Sequence, residues 1–457
     1  MLKRKAYKQL ERWKNSYNKK ALCIIGARQT GKTTLVRKFA KENYPFFIEL
    51  NFLTDPKCKE IFANRLNADY IITNLSAYVQ KKMEPHKTLI LLDEIQECPE
   101  ARTAIKFLVE DGRFDYIETG SLLGVKNNEV KSYPVGYEEI LKMYPLDFEE
   151  YLWANGVQED TIQYLRDCFE QLNPVSQSVH DTLMTLFYSY IVVGGMPDIV
   201  QTYVDTHDIS QVITKQREII ELYRLDITKY ANRSNKIKIR SIFDSIPSQL
   251  NEKNRRFFLN KIEKSARQNR YYNSFEWLSE VGVALPCYNI NEPIPPLQLN
   301  EKHSLFKLFM GDTGLLCAAC MENIQFDLLQ GRLHINMGSI LENVMAQSIK
   351  SHNFSLHYFD SKKYGELDFV IQKGMNIDLI EIKSGEDYKK HNSLDKVLKV
   401  KEWNFENVYV FCKGNIEKSN QILYLPWYMI MFYEQNKVMD MIFEIDLSRL
   451  NQNIMNK

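Results

Sequence analysis

One octapeptide, Gly26-Ala-Arg-Gln-Thr-Gly-Lys-Thr33, constrains the fold of this chain more than any other segment. It fits the pattern G-x-x-x-x-G-K-[ST]. It lies between a short apolar run, Ala21 to Ile25, which predicts a buried parallel strand, and a predicted helix from Gly31 to Asn43. The glycines let the backbone wrap so that its N–H groups point at phosphate oxygens, and the helix adds its positive dipole end. The segment therefore predicts a phosphate-binding loop in an α/β domain.

The loop and a strand that ends near it predict an ATP and Mg²⁺ site. Lys32 is expected to reach the β- and γ-phosphates, and the Thr33 hydroxyl to ligate Mg²⁺. The run Leu89-Ile-Leu-Leu-Asp-Glu94 is an apolar strand that ends in two carboxylates, so we expect Asp93 near the metal and Glu94 near the attacking water. The predicted catalytic residues are Lys32 and Glu94, and the predicted metal ligands are Thr33 and Asp93. The predicted nucleotide-binding residues are Gly26, Ala27, Arg28, Gln29, Thr30, Gly31, Lys32, Thr33, Thr34 and Ser121.

The first third of the chain alternates strand-like and helix-length segments, which predicts a parallel sheet covered on both faces. Ser121 closes the motif Thr119-Gly-Ser121, which ends a predicted strand at the same sheet edge as the loop. Its hydroxyl could sense the γ-phosphate, and an ordinary strand-to-turn transition explains the motif equally well. The five predicted strands are Ala21–Ile25, Phe46–Asn51, Leu89–Leu92, Tyr116–Thr119 and Glu139–Tyr144.

Composition limits the class of protein but not its fold. The 457 residues suggest about three domains. Because 59 basic residues nearly balance 58 acidic ones, attraction to a polyanion must be local. The charged amino terminus is unlike a secretory signal, no apolar run is long enough to span a bilayer, and the eight cysteines are scattered. We therefore expect a cytoplasmic protein without a membrane partner.

A set of carboxylates and one lysine predicts a second metal site near the other end of the chain. Glu342 opens a predicted helix, Asp368 lies on a strand, and Glu381 and Lys383 share one face of a further strand. Asp368 and Glu381 could hold Mg²⁺ or Mn²⁺ through oxygen, and Lys383 could orient the attacking water. We predict Glu342, Asp368, Glu381 and Lys383 as catalytic, with Asp368 and Glu381 as metal ligands. The alternative is a surface-charged edge of an α/β fold, since E-x-K alone is common.

The segment from Lys229 to Tyr272 carries twelve basic residues against three acidic ones. Such a block in a neutral chain is typical of proteins that bind the phosphate backbone of nucleic acid. A solvated helix face is the alternative interpretation. The basic residues are those at positions 229, 233, 236, 238, 240, 253, 255, 256, 261, 264, 267 and 270.

Taken together, the motifs of the chain resemble a prokaryotic family of AAA+ ATPases that carry a carboxy-terminal domain of unknown function, number 4143. That terminal domain is similar to the PD-(D/E)xK nucleases. The motifs occur in the family's order and cover nearly the whole chain. The relatives often carry arginine after the glycine of Gly136-Tyr137, so the arginine finger is unassigned, with Arg102, Arg113 and Arg224 as loose candidates. Besides the phosphate loop and the Leu91-Leu-Asp-Glu94 strand end, the motifs are Thr119-Gly-Ser121, Tyr144-Pro-Leu-Asp-Phe-Glu-Glu150 and Gly194-Gly-Met-Pro197.

The resemblance implies four regions. These are a P-loop AAA+ parallel-sheet ATPase core at 1–150, a helical lid at 151–230, a basic winged-helix-like connector at 231–330, and an α/β PD-(D/E)xK nuclease-like domain at 331–457. It also implies ATP binding and hydrolysis, and it is compatible with a homo-oligomer.

Our hypothesis is that nucleotide state controls nucleic-acid binding, or Mg²⁺-dependent cleavage, by the terminal domain. The alternative is a non-enzymatic, ATP-switched regulator that binds DNA or protein and has an inactive nuclease fold. A small-molecule phosphotransferase would share the phosphate loop, but it would need an acceptor pocket for which the sequence offers no sign.

Overall fold

A five-stranded parallel sheet forms the first third of the protein. The computed structural model describes residues 2–121, 133–230, 233–252, 255–263, 268–320, 325–330 and 337–435. The sheet order is β2-β3-β4-β1-β5, with every neighbouring pair parallel. The strands are β1 Ala21–Ile25, β2 Phe46–Asn51, β3 Thr88–Asp93, β4 Asp115–Gly120 and β5 Glu138–Lys142. All five predicted strands are therefore present.

Helices cover both faces of this sheet. One face buries Leu22, Ile24 and Leu91 against Val36 and Phe39 of the helix that follows the loop. The opposite face packs in a second apolar cluster. Strand β3 lies inside the sheet, between β2 and β4, and is consequently buried at all six positions, which explains its continuous apolar run. The helices are α1 Ala6–Lys14, α2 Lys32–Asn43, α3 Glu60–Ala63, α4 Ala68–Val79 and α5 Pro99–Asp111.

Five helices follow the sheet, as the helical pattern after residue 150 predicts. The first begins with a capping box, in which the Glu150 amide donates to Asp147 Oδ1 at 2.9 Å and the Asp147 amide donates to Glu150 Oε2 at 3.2 Å. The helices are α6 Phe148–Ala154, α7 Glu159–Gln171, α8 Gln177–Val193, α9 Pro197–Thr206 and α10 Ile209–Tyr230.

The next segment combines helices with an antiparallel strand pair. Strands β6 and β7 pair with each other, and β6 also pairs in parallel with β8, His357–Ser361, of the carboxy-terminal region. The segment thus shares a four-stranded sheet, order β7-β6-β8-β9, with the part of the chain that follows it, where β9 is Gly365–Leu367. The elements are α11 Arg233–Leu250, α12 Gln268–Glu280, β6 Ala284–Ile290, β7 Glu301–Met310, α13 Thr313–Cys320 and α14 Gln325–Leu329.

The carboxy-terminal region is a mixed α/β unit. Its second sheet has the order β10-β11-β12-β14-β13, with antiparallel pairs at both edges and parallel pairs in the centre. A short helix, Asn392–Val397, precedes β12. The elements are α15 Met337–Ser351, β8 His357–Ser361, β9 Gly365–Leu367, β10 Phe369–Lys373, β11 Asn376–Ile382, α16 Asn392–Val397, β12 Asn407–Cys412, β13 Glu417–Ser419 and β14 Ile422–Pro426.

The predicted fold class, a parallel-sheet P-loop domain followed by helices and an α/β terminal domain, is confirmed at this level of description. The boundaries near 150, 230 and 330 stay predictions, because one apolar cluster runs from Leu146 to Tyr433 across the last three regions. Within the described ranges, no helix has both the length and the apolar character needed to cross a lipid bilayer. Of the predicted basic segment, Lys253, Lys264 and Arg267 lie outside the described residues.

Candidate nucleotide-binding site

The phosphate-binding loop is shaped by two glycines with positive φ. Gly26 has φ +152°, and a Cβ there would lie 2.1 Å from the carbonyl oxygen of Met143. Gly31 has φ +86° and immediately precedes α2. Any other residue at position 26 would collide with the backbone that follows β5. The loop therefore has both the tight wrap and the helix start that a phosphate cradle requires.

Lys32 folds back over the loop. It is 8% exposed, and its Nζ donates to the carbonyl oxygens of Gly26 at 2.9 Å and Ala27 at 2.8 Å. Burial lowers the pKa of Lys32 to about 8, against the opposing attraction of Glu94 and Asp93. The ammonium group lies within the loop that would surround the phosphates.

Asp93 joins the loop to the end of the sheet. Its Oδ1 accepts hydrogen bonds from the Thr33 hydroxyl at 2.8 Å and from the Thr119 hydroxyl, while its Oδ2 accepts from Asn51 Nδ2 at 2.7 Å. Hydroxyl and carboxylate oxygens are the ligands that Mg²⁺ prefers, so Thr33 and Asp93 fit such an ion. The sequence reasoning missed Asn51, although the carboxyl ends of β2 and β3 place Asn51 beside Asp93 in register.

Glu94 begins the turn after β3 in a left-handed conformation, with φ +56°. Its Oε2 accepts a hydrogen bond from Gln96 Nε2. The other side-chain atom of that amide, Gln96 Oε1, is buried without a hydrogen-bond partner among the described residues. Gln96 thus fixes the orientation of the predicted catalytic carboxylate of Glu94. The sequence alone did not predict this role of Gln96.

Ser121 and the lid meet the loop through Arg28. The Arg28 Nε donates to Ser121 Oγ at 3.4 Å, and the Tyr223 hydroxyl of α10 donates to the carbonyl oxygen of Arg28 at 3.1 Å. Thr30 caps the loop internally, because its hydroxyl donates to the Ala27 carbonyl at 2.9 Å. The predicted loop residues are therefore brought together, and Ser121 lies among them.

A cavity of about 600 Å³ adjoins the loop. It opens between the loop, the segment before α1 and helix α9. Its volume lies in the range of small-molecule sites in proteins. The walls include Arg4, Gln29, Thr34, Met143, Pro197 and Gln201.

The three loosely proposed finger arginines are all held in ion pairs within the protein. Arg102 pairs with the buried Glu118 at 3.3 Å and with Glu138 at 2.9 Å. Arg113 pairs with Asp69 and Asp111 before β4, at the sheet edge opposite the loop. Arg224 pairs with Asp244 on α11 and with Glu221. None of these ion pairs includes a residue of the phosphate-binding loop.

The predicted second metal site is assembled in part. Lys383 Nζ lies 2.7 Å from Glu381 Oε1, and the Ile382 amide donates to Asp368 Oδ2 at 2.8 Å. Burial and then the neighbouring Asp368 charge raise the pKa of Glu381 to about 8. Glu381 Oε2 is buried without a hydrogen-bond partner in the described part of the chain. Two close carboxylates, one with an unpartnered oxygen, fit a divalent cation.

Glu342 has different partners. It is 1% exposed and lies 3.1 Å from Lys307 Nζ through Oε2, while Arg255 pairs with its other oxygen. Lys307 is fully buried and also contacts Glu366 at 2.5 Å. Arg255 and Lys307 thus neutralise Glu342. Lys307 also neutralises Glu366. Sequence reasoning missed Lys307, whose only signal is a lysine inside the apolar run Leu305-Phe-Lys-Leu-Phe309.

These features define a class of protein. A parallel sheet with a glycine-rich loop after β1, a lysine and threonine at the start of α2, and Asp93 at the end of β3 form a P-loop nucleotide-binding domain. Residues 18–152 match the family described as an AAA domain. Residues 184–325 and 337–430 match two domains of unknown function, DUF8612 and DUF4143. The chain is therefore an AAA-domain protein with a carboxy-terminal DUF4143 domain, as the resemblance implied.

Solved structures show only remote similarity. A Walker-type ATPase of Pyrococcus abyssi is 14% identical with a TM-score of 0.41, and the match covers 70% of this chain and 96% of that one. The Orc1 protein of Aeropyrum pernix, solved in complex with DNA, is 13% identical with a TM-score of 0.31, covering 73% and 94%. Drosophila ORC bound to DNA is 12% identical with a TM-score of 0.25, covering 72% and 95%. These scores are too low to support an inference, and a comparison with curated sequences gives no significant match.

Proposed function

We propose that this protein binds Mg-ATP at the loop Gly26–Thr33 and hydrolyses it. The observation that carries the proposal is the Thr33–Asp93 hydrogen bond of 2.8 Å, which joins the start of α2 to the end of β3 beside the buried Lys32. A hydroxyl, a carboxylate and an ammonium group are thus grouped where the loop would hold terminal phosphates. The adjoining cavity of about 600 Å³ has room for the nucleoside.

In this proposal each side chain has one task. The loop amides and Lys32 bind the β- and γ-phosphates, and Thr33 with Asp93 holds Mg²⁺, which supplies positive charge to the phosphate oxygens. Glu94 orients a water molecule and accepts its proton. A bond forms between the water oxygen and the γ-phosphorus, the bond to the β–γ bridging oxygen breaks, and ADP and phosphate leave.

Calorimetric titration of Mg-ATP into the purified full chain, followed by a phosphate-release assay, tests this function. We expect Lys32→Ala to abolish binding, and Glu94→Gln to retain binding while losing at least about 100-fold in hydrolysis. Lys41→Ala is the control, because this exposed lysine lies near the far end of the same helix. No heat from wild-type protein, or hydrolysis that survives Lys32→Ala, would contradict the proposal.

We infer a second activity at the terminal domain, namely Mg²⁺- or Mn²⁺-dependent cleavage of nucleic acid under the control of ATP. The unpartnered Oε2 of Glu381 beside Asp368 and Lys383 supports it. The competing regulator hypothesis is supported by Glu342, which is sequestered by Lys307 and Arg255. In that case the terminal domain binds DNA or protein without cutting.

Incubation with single-stranded, duplex and branched DNA distinguishes these two functions. Each substrate is tested with Mg²⁺ or Mn²⁺, with and without ATP. Cleavage that disappears in Glu381→Ala supports the nuclease. Binding without cleavage in both wild type and Glu381→Ala supports the regulator.

A further inference from the structure

Arg28, the third residue of the loop, links the end of the sheet to a lid helix. Its Nη1 lies 2.5 Å from Asp226 Oδ1 on α10, and its Nε donates to Ser121 Oγ at 3.4 Å after β4. Its backbone carbonyl accepts the Tyr223 hydroxyl at 3.1 Å. The Arg28 side chain is 26% exposed and that of Asp226 is 14% exposed. A cation of the phosphate loop is therefore held by a carboxylate that belongs to the lid.

Arg28 lies on the side of the loop that faces the carboxyl ends of β3 and β4. Ser121 directly follows β4, the strand next to β3, and β3 ends at Asp93, immediately before Glu94. The positive charge of Arg28 also contributes to lowering the pKa of Lys32, so the two cations lie near each other. The Lys32 ammonium group contacts the carbonyl oxygens of Gly26 and Ala27, which immediately precede Arg28.

Helix α10 of the lid and the end of α12 with its following turn both pack against this part of the loop. Besides Tyr223 and Asp226, the turn after α12 contacts it, because a Cβ on Gly282 would lie 3.4 Å from the Ala27 amide nitrogen. Trp277 and Val281 lie beside Arg28 and Asp226 in the same small cleft. Any shift of Arg28 therefore acts directly on α10 and on the turn that leads into β6.

We propose that Arg28 binds the γ-phosphate of ATP in exchange for Asp226 and stabilises the charge that develops on it during hydrolysis. The exchange rests on the proposed ATP binding. In the reaction, the guanidinium group donates to the γ-phosphate oxygens while the water oxygen bonds to phosphorus and ADP leaves with the bridging oxygen. ADP has no γ-phosphate, so Arg28 stays paired with Asp226 in the ADP state. The Arg28–Asp226 ion pair with α10 is thus exchanged in the ATP state and kept in the ADP state, and the charge-stabilising arginine comes from the same chain.

Nucleotide affinities of Arg28→Ala and Asp226→Asn test this exchange. Calorimetry measures the Kd of Mg-ADP and of a slowly hydrolysed ATP analogue, and phosphate release measures kcat. For Arg28→Ala we expect analogue affinity to fall about 10-fold, ADP affinity to stay within about 3-fold, and kcat to fall about 100-fold or more. For Asp226→Asn we expect tighter analogue binding, by about 3- to 10-fold, with ADP binding unchanged, because the competing carboxylate is gone.

Arg166→Ala serves as the matched control. The Arg166 side chain is 28% exposed and is also ion-paired, 3.5 Å from Glu434, but it lies on α7 over the Phe432 ring. It should change neither the affinity ratio nor kcat. Thermal melting of each variant shows whether it is folded, and Arg28→Lys provides a second test if the alanine variant is not.

The possible failures differ from one another. If wild type binds ATP and Lys32→Ala abolishes that binding, but Arg28→Ala and Asp226→Asn leave the analogue-to-ADP ratio unchanged, the exchange is wrong and the ATPase stands. If wild type binds neither nucleotide, the proposed function itself is wrong. A loss of both affinities in Arg28→Ala by the same factor would assign Arg28 to general loop structure and would also overturn the exchange.

Discussion

Among the loop residues, Lys32 is the one whose charge matters most for the proposed nucleotide binding. Burial lowers its pKa to about 8. The folded protein therefore binds fewer protons than the unfolded chain between about 8 and the ordinary lysine value of 10.5. This burial costs stability below pH 8, and the cost fades as the pH rises toward 10.5. Phosphate binding has the opposite preference, because it needs the charged form.

We therefore predict that ATP affinity falls above pH 8, by up to about tenfold per pH unit, because Lys32 must then take up a proton to bind phosphate. Calorimetry at pH 8.5 to 9.5 in two buffers of different ionisation enthalpy measures that proton directly. Lys32→Arg is the control, since its guanidinium stays charged throughout this range. A proton count near zero at pH 9 in the wild-type protein would contradict the assignment.

At the scale of elements, the Gly194-Gly-Met-Pro197 turn between α8 and α9 docks onto the start of α13. The Gly195 amide donates to Asp312 Oδ2 at 2.7 Å, and the Leu315 amide donates to Asp312 Oδ1 at 3.0 Å. A Cβ on Gly194 would lie 2.3 Å from Asp312 Oδ1, so glycine is required there. One buried carboxylate thus joins the lid to the segment that follows β7.

We predict that Asp312→Ala lowers the free energy of unfolding by about 2–5 kcal/mol, because it leaves buried amides of two elements without acceptors. Urea unfolding at pH 7.5 measures the loss. Asp327→Ala is a suitable comparison, since that aspartate lies on the short helix α14 nearby in sequence. Burial raises the pKa of Asp312 to about 6, so its charged form adds a cost above that pH. Should Asp312→Ala be as stable as wild type, the turn would not depend on this carboxylate.

Local patterns predicted most elements but few of the contacts between them. The strands β1 to β5 follow from short apolar runs, and the capping box at Asp147 follows from spacing alone. The Arg28–Asp226 pair could not be predicted, because its partners are far apart in sequence and only lid packing brings them together. The contact between Asn51 and Asp93 could have been predicted, because both residues end parallel strands and such strand ends meet at the same edge of the sheet. No local signal announced Gln96, whose role depends on the turn after β3.

At the scale of the whole molecule, Lys307 joins strand β7 to the carboxy-terminal region. Its ammonium group is fully buried between Glu342 on α15 and Glu366 on β9, and it lies 5.0 Å from the Tyr358 ring centre. A single lysine in an apolar strand resembles a packing irregularity. Its role as the counterion of Glu342 follows only from the tertiary structure, in which β6 pairs with β8 and brings the two residues together.

We predict that Lys307→Met destabilises the protein by about 3–5 kcal/mol, because the buried Glu342 carboxylate loses a counterion. Lys302→Met, at the less buried start of the same strand, should cost far less. The double variant Lys307→Met/Glu342→Gln should recover part of the loss. Thermal or urea unfolding measures all three. Equal stability of Lys307→Met and wild type would show that Arg255 alone neutralises Glu342.

The same reasoning limits the nucleic-acid surface of the basic segment. Arg255 and Arg256 are not directed outward, because they pair with Glu342 and with Asp360 of β8. The outward charge on α11 lies elsewhere. The Arg240 side chain also has an acidic neighbour, Asp244 at 3.5 Å, but it is 54% exposed. It lies one turn from Ile237, which is 77% exposed, and from the half-buried Lys236. Binding by charge would therefore depend on this face of α11 rather than on the whole segment.

We predict that Lys236→Gln/Arg240→Gln weakens DNA binding and lowers the slope of log K against log salt by about 2, since each phosphate contact adds about 0.9. Fluorescence anisotropy with a labelled duplex at several KCl concentrations measures that slope. Lys19→Gln/Lys41→Gln removes the same charge from the sheet domain and should leave the slope unchanged. If both double variants change the slope equally, DNA is attracted by the charge of the whole protein rather than by α11. If neither does, the outward charge of α11 belongs to a solvated face that does not bind DNA.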